Sequence, residues 1–168
     1  MTVLAIMQNQ WFKDPARVAA IFSRHPSASF RRRFIKHSLF QGCKSGNVLM
    51  SVFGDMLDDW IFEEASPQVG GHSASSFPAD LDHITTVIGD VKPDIIVTFG
   101  KTAREAIELI RVSVAVLGVT AMVPIPLVNW CHIAAPHPAA RSADALQRLR
   151  EAKREIEGII ATSSHQSQ

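Results

Sequence analysis

Short apolar runs alternate along this chain with stretches of helical periodicity, and that alternation confines it to a small set of folds. Val3–Met7, Ile95–Phe99 and residues 127–133 are each long enough for one buried strand and too short for a helix. They are predominantly apolar rather than apolar at every second position, so both faces of each strand are expected to be covered. Strands of that kind separated by amphipathic helices imply a parallel sheet between two helical layers. The sequence therefore predicts a three-layer α/β/α fold around a four-stranded parallel sheet, with strands near residues 3–8, 59–63, 94–99 and 127–133.

Local signals place the connecting elements. Asp14-Pro15 reads as an N-cap with proline in the first helical turn, opening a helix to about Arg24. Residues 25–45, interrupted by Ser27, Ser29 and Gly42, read as a loop with a single helical turn. Ser45 caps a helix whose apolar positions are Leu49, Phe53, Leu57 and Trp60. A helix from near Pro78 buries Leu81, Ile84 and Ile88, and Thr102-Ala103-Arg104-Glu105 fits a capping box. Residues 114–119 read as a further small strand, and Ser142 caps a last helix with Leu146, Leu149, Ile156 and Ile159 on its apolar side. One domain, 1–160, and a flexible C-terminal tail, 161–168, are expected.

Composition narrows the function classes. An apolar share of 46% against 20% charged residues is globular usage and argues against disorder over most of the length. Cys43 and Cys131 are too few for a disulfide framework, a four-cysteine zinc site or an iron–sulfur cluster, which fits a reducing cytoplasm and a chain without metal or cofactor. Neither a signal peptide nor a run of membrane-spanning length is legible, so a cytoplasmic protein with no membrane partner is expected. The near-zero net charge hides an asymmetry. Between Pro15 and Gly54 the chain carries Arg17, Arg24, Arg31, Arg32, Arg33, Lys36 and Lys44 and no acid, a block suited to holding phosphates or to lying solvated at the surface.

Ligands of such folds bind beyond the carboxyl ends of the strands. Four loops qualify: 8–13, 63–77, 100–102 and 134–141. The last holds Pro136-His137-Pro138, where two prolines leave His137 little freedom and suit it to be a preorganised hydrogen-bond donor. Gly100-Lys101-Thr102 lacks the first glycine of a P-loop, whose place is taken by Ile95, and no G-x-G-x-x-G or G-x-S-x-G occurs.

Three segments in this order, Met7-Gln8-Asn9-Gln10-Trp11, Lys92-Pro93-Asp94-Ile95-Ile96-Val97-Thr98-Phe99-Gly100-Lys101-Thr102-Ala103 and His137-Pro138-Ala139-Ala140-Arg141, together resemble the uracil-DNA glycosylase superfamily over nearly the whole domain. Phe40-Gln41-Gly42 is similar to the segment whose phenylalanine stacks on the extruded base in several branches. The resemblance implies a sheet order of 2-1-3-4. It gives Asn9 the water-positioning role and His137 the donation to the departing base, with Gln8, Trp11, Phe40, Glu63 and Glu64 around the base. Arg31, Arg32, Arg33, Lys36, Lys44, Lys101 and Arg141 would contact DNA. The glycine and proline that flank the first motif in those families are missing beside Asn9, and Glu63-Glu64 stands where they carry an asparagine that reads uracil. Read as ionised, such a carboxylate accepts hydrogen bonds only and favours guanine or a deaminated purine over uracil. The expectation is a divergent DNA glycosylase-like hydrolase that cleaves the N-glycosidic bond of a flipped, damaged or deaminated base. The alternatives are a non-catalytic nucleic-acid-binding module of the same fold, or a protein that binds a nucleotide or small phosphorylated metabolite.

Overall fold

The computed structural model describes residues 1–8, 10–71, 77–117 and 130–165. Asn9 is therefore outside the described residues, as are 118–119 of the expected small strand and 127–129 of the expected last strand.

Four parallel strands form the main sheet. In chain order they are β1 (Val3–Met7), β3 (Ile61–Glu64), β5 (Ile95–Phe99) and β6 (Cys131–Ala135). Their spatial order is β3-β1-β5-β6, so β1 and β5 are central and every crossover is parallel. A second, two-stranded parallel sheet joins β2 (Gln10–Trp11) to β4 (Val69–Gly70) beside the carboxyl end of β1. The ladder between β1 and β3 continues one step further, with the Ala65 N–H donating to the Met7 carbonyl at 2.8 Å.

Alternation along the strands divides the core in two. Val3, Ala5, Phe62, Val97, Phe99 and Ile133 point to α2 (Ala28–Phe40), α3 (Lys44–Phe53) and α6 (Ala145–His165). Leu4, Ile6 and Ile96 point to α4 (Leu81–Val91) and α5 (Lys101–Leu117). The remaining helix, α1 (Pro15–Arg24), starts as expected, with the Asp14 carboxylate accepting from the Arg17 N–H at 2.9 Å.

Several sequence expectations are corrected. Residues 28–40 are a thirteen-residue helix rather than loop, capped by the Ser27 hydroxyl, which accepts from the Phe30 N–H at 3.3 Å. Its apolar positions Phe30, Phe34, Ile35 and Leu39 recur at helical spacing, but the Arg31-Arg32-Arg33 run conceals the stripe. The next helix is capped at Cys43, not Ser45, and gives way to a 3₁₀ segment, Gly54–Asp59, where Gly54 takes a φ of +56°. Leu57 and Trp60 are buried from that segment and its exit rather than from the helix. Helix α4 is capped by Asp80, and Leu81 faces outward at 39% exposure. Thr102 lies inside α5, where Glu105 pairs with Lys101 at 3.7 Å, so no capping box forms. Residues 114–117 continue α5 as helix instead of starting a strand. Helix α6 runs to His165, past the point at which the sequence placed a flexible tail.

Among the described residues no helix is long and apolar enough to cross a membrane, and no group of three or more His, Cys, Asp or Glu side chains converges as a metal site would require.

Candidate functional site

Because the four main strands are parallel, their carboxyl ends share one side of the sheet, and the backbone there is released into loops. A cavity of about 870 Å³ opens on that side. Its floor comes from Met7 and Gln8 at the end of β1 and from Glu64 at the end of β3. His137, Ala139 and Arg141, from the loop after β6, form one wall. Ser38, Leu39 and Gln41 of the α2 end and Gly42 to Ser45 at the start of α3 form the opposite wall, with Phe12 and Lys13 beside them.

The two glutamates expected to read a base occupy different environments, because neighbours on a strand face opposite ways. Glu63, 2% exposed, turns away from the cavity. Its carboxylate lies 3.6 Å from Arg31 Nε, accepts from Arg32 Nε at 3.2 Å and approaches His83 Nε2 at 3.6 Å. Arg31 also donates to the Pro67 carbonyl at 2.9 Å, and Arg32 reaches Asp90 at 3.8 Å. Glu63 is thus an anchor for α2, and Glu63, Arg31 and Arg32, expected beside a base and phosphates, meet one another in this ion-pair cluster and do not line the cavity. Lys36, expected to contact DNA, donates its ammonium to the Asp58 carbonyl at 2.5 Å and the Trp60 carbonyl at 3.2 Å.

Glu64 does line the cavity. It is 4% exposed, and its Oε2, itself sealed from solvent, has no hydrogen-bond partner among the described residues. Burial, with the Glu63 charge adding to it and Arg31 opposing, raises its carboxyl from the ordinary 4.5 to about 8. Near neutral pH it is a protonated acid.

His137 is fixed from two sides. The Ala139 N–H donates to its Nδ1 at 3.1 Å, and the Ala140 N–H donates to its carbonyl at 2.8 Å. With Nδ1 accepting, the neutral ring carries its proton on Nε2, and burial lowers the pKa so that the neutral form prevails at physiological pH. Gly100 makes the close approach possible. Its φ is +99°, and a Cβ there would fall 2.8 Å from Gln8 Oε1 and 3.4 Å from the His137 Cβ. Gly100 also ties β5 to β6 by donating to the Ala135 carbonyl at 3.0 Å.

The remaining expected residues divide. Gln8, Lys44 and Arg141 line the cavity. Arg33 is exposed on the outer side of α2, and Lys101 is exposed and paired within its own helix. Phe40, expected to stack on a base, packs edge-on against Phe62, 5.4 Å between centroids, beside the core and not on the cavity wall. Among the described residues, Phe12 is the Phe or Trp that lines the cavity. For Trp11 the described structure gives the backbone, paired through β2, and not the side chain. Sequence reasoning also missed Lys13, Gln41 and Ser45, whose signal was adjacency to the motifs at 7–11 and 40–42.

Helix α3 brings its N-terminus to the rim. The N–H groups of its first turn have no acceptor within the helix, and the Cys43 side chain does not cap them. Gly46 holds that end in place, since a Cβ there would overlap the Leu39 carbonyl oxygen of α2. The wall built by α2 and α3 is accordingly set without slack, and Lys13, Lys44, Arg141 and a helix dipole give the mouth positive potential over a neutral, hydrogen-bonding floor. Comparison of the chain with models of known protein families and with curated proteins finds no significant match.

Proposed function

We propose that this chain is a divergent DNA glycosylase-like hydrolase, which takes an extruded base into the cavity at the carboxyl ends of the strands and cleaves its N-glycosidic bond. One observation carries the reading: a buried carboxyl, Glu64, and an imidazole with its proton on Nε2, His137, both without a partner for those groups among the described residues, line a single cavity whose mouth is basic. Further support comes from the sheet. Numbered by themselves, the four main strands run 2-1-3-4, the order that the resemblance implies.

In this mechanism Lys44, Arg141 and the exposed Arg33 hold phosphates, offsetting the few kcal/mol needed to unstack a base. Phe12 offers an apolar face to the base. Water attacks the sugar carbon and the carbon–nitrogen bond breaks, its electron pair leaving with the base, while the proton shed by the water passes through solvent to neutralise the base anion. His137 Nε2–H donates to the base as that charge develops. The resemblance gives Asn9 the orientation of the water. A preorganised donor of this sort contributes roughly 3 kcal/mol, a factor of ~10² in rate.

The test is release of an abasic site from oligonucleotides containing uracil, hypoxanthine or xanthine, single- and double-stranded, by the wild type and His137→Ala. The expected outcome is base release that falls ~10²-fold in the variant while the melting temperature stays within a few degrees. DNA binding without release from any substrate would favour a non-catalytic module. Binding of mononucleotides without binding of oligomers would favour a metabolite site.

A further inference from the structure

Phe12, Phe22, Phe30 and Phe34 belong to neither half of the core, and all four are half-buried around α1 and α2. Phe34 is their hub, with ring centroids 5.7 Å from Phe12, 5.2 Å from Phe22 and 6.3 Å from Phe30. The Arg31 guanidinium closes over Phe22 at 5.1 Å. Phe30 carries instead the exposed His25 ring, stacked on it at 4.5 Å with 27° between planes, and Phe30 and Phe34 lie 30° apart. His25, Phe30 and Phe34 thus follow one another as a row of flat rings, and Phe12 joins that row to the cavity wall. Helix α2 shows which way the row faces. Phe30, Arg33, Phe34 and His37 recur at i, i+3, i+4 and i+7, on the side opposite the buried Ile35 and Leu39, which packs against the core. Arg33 is exposed on this side, and Arg24 is exposed in the last turn of α1 beside His25. Neither forms an ion pair among the described residues, unlike Arg31 and Arg32, and neither helix contains an acid.

We propose that this face of α1 and α2 is a platform for single-stranded nucleic acid, on which unpaired bases stack against His25 and Phe30 while Arg24 and Arg33 hold the phosphates between them. An apolar protein partner would have no use for the cations, and an acidic one would have no use for the rings. Rings edged by uncommitted cations fit a polyanion that carries flat faces of its own. Duplex DNA keeps its base faces turned toward one another and could engage the cations alone, so the rings choose the single strand. Through Phe34 and Phe12 the strand is led to the mouth of the cavity. The inference goes beyond the hydrolase reading and does not require it, since His25 and Phe30 take no part in bond cleavage.

The decisive experiment is fluorescence anisotropy of the full chain with labelled oligothymidylate of about twelve nucleotides, a DNA duplex of the same length and a polyglutamate peptide of similar charge. Wild type, His25→Ala, Phe30→Leu and Phe30→Trp are compared. Alanine at 25 keeps the backbone N–H that donates to the Ile21 carbonyl at 3.0 Å, so the end of α1 is preserved whatever leucine does to the packing at 30. The wild type should prefer the single strand to the duplex and to the peptide. His25→Ala and Phe30→Leu should each weaken single-strand binding roughly tenfold with the slope against salt unchanged, and Phe30→Trp should keep it. Equal affinity for single strand and duplex, tighter binding of the peptide, or wild-type affinity in His25→Ala overturns the proposal. The two readings fail separately. Base release from oligomers with affinity indifferent to both rings removes this inference and leaves the hydrolase. Ring-dependent binding of single strands without base release leaves this inference and removes the hydrolase.

Discussion

Replacing Glu64 with glutamine should make the protein more stable, and the gain should depend on pH in a way that few other substitutions could imitate. In the folded chain the carboxyl titrates near 8, and in the unfolded chain near the ordinary 4.5. Between these values the native state holds a proton that the unfolded state has lost, so rising pH drains stability throughout that window. Below about pH 4.5 both states are protonated and the effect vanishes. Above about pH 8 both are ionised and the full penalty is present, about 3.5 pH units or roughly 5 kcal/mol. At neutral pH about 2.5 units have accrued, or roughly 3 kcal/mol. Glutamine has no such titration and meets similar hydrogen-bonding needs, so Glu64→Gln should gain about 2–3 kcal/mol at pH 7, equivalent to a melting temperature higher by about 6–10 °C for a domain of this length. Urea denaturation of both proteins from about pH 4.5 to 9, followed by fluorescence of the buried Trp60, measures this directly. Parallel stability curves across that range would mean that Glu64 is ionised in the folded state, and both the burial argument and the neutral-acid reading would fall.

Three other outcomes follow from the same geometry. Glu63→Ala should destabilise the chain by about 2–3 kcal/mol in denaturation, less than a fully buried ion pair because Arg31 and Arg32 retain some solvent. Gly100→Ala should cost about 1–2 kcal/mol and shift the NMR signals of the His137 ring, since a Cβ strains a left-handed backbone and meets Gln8. Arg33→Ala should flatten the salt dependence of DNA binding with stability changed by less than about 0.5 kcal/mol, while Arg31→Ala should lower the denaturation midpoint.

The strands and the site loops were legible because they depend on local signals. Continuous apolar runs marked β1 and β5, Asp14 and Pro15 marked the start of α1, and Pro136-His137-Pro138 marked a fixed imidazole beyond a strand. Helix α2 was hidden because three successive arginines look solvated in sequence, and it is Glu63, distant along the chain, that gives two of them a buried partner. The roles of Glu63 and Glu64 could not be separated by reading either. A shift of one residue in the limits of β3 exchanges the faces, and register is set by pairing with β1, where Met7 lies opposite Glu64. The direction of the Phe40 ring was hidden for a related reason: its neighbours Leu39 and Gln41 reach the cavity while its own ring turns to Phe62.

The hold that α2 has on β3 also bears on how the chain behaves in a crowd. β3 ends the main sheet on one side, and a bare terminal strand is a template on which another chain can add its own backbone. Here the approach to that strand is occupied. Lys36 caps carbonyls at its entrance, and Arg31 and Arg32 cover its exit, Arg32 reaching round the margin to Asp90 on the far helical layer. An incoming strand would have to strip three cations from their partners before forming its first ladder bond. The basic segment thus crowds this margin of the sheet against the addition of a further strand.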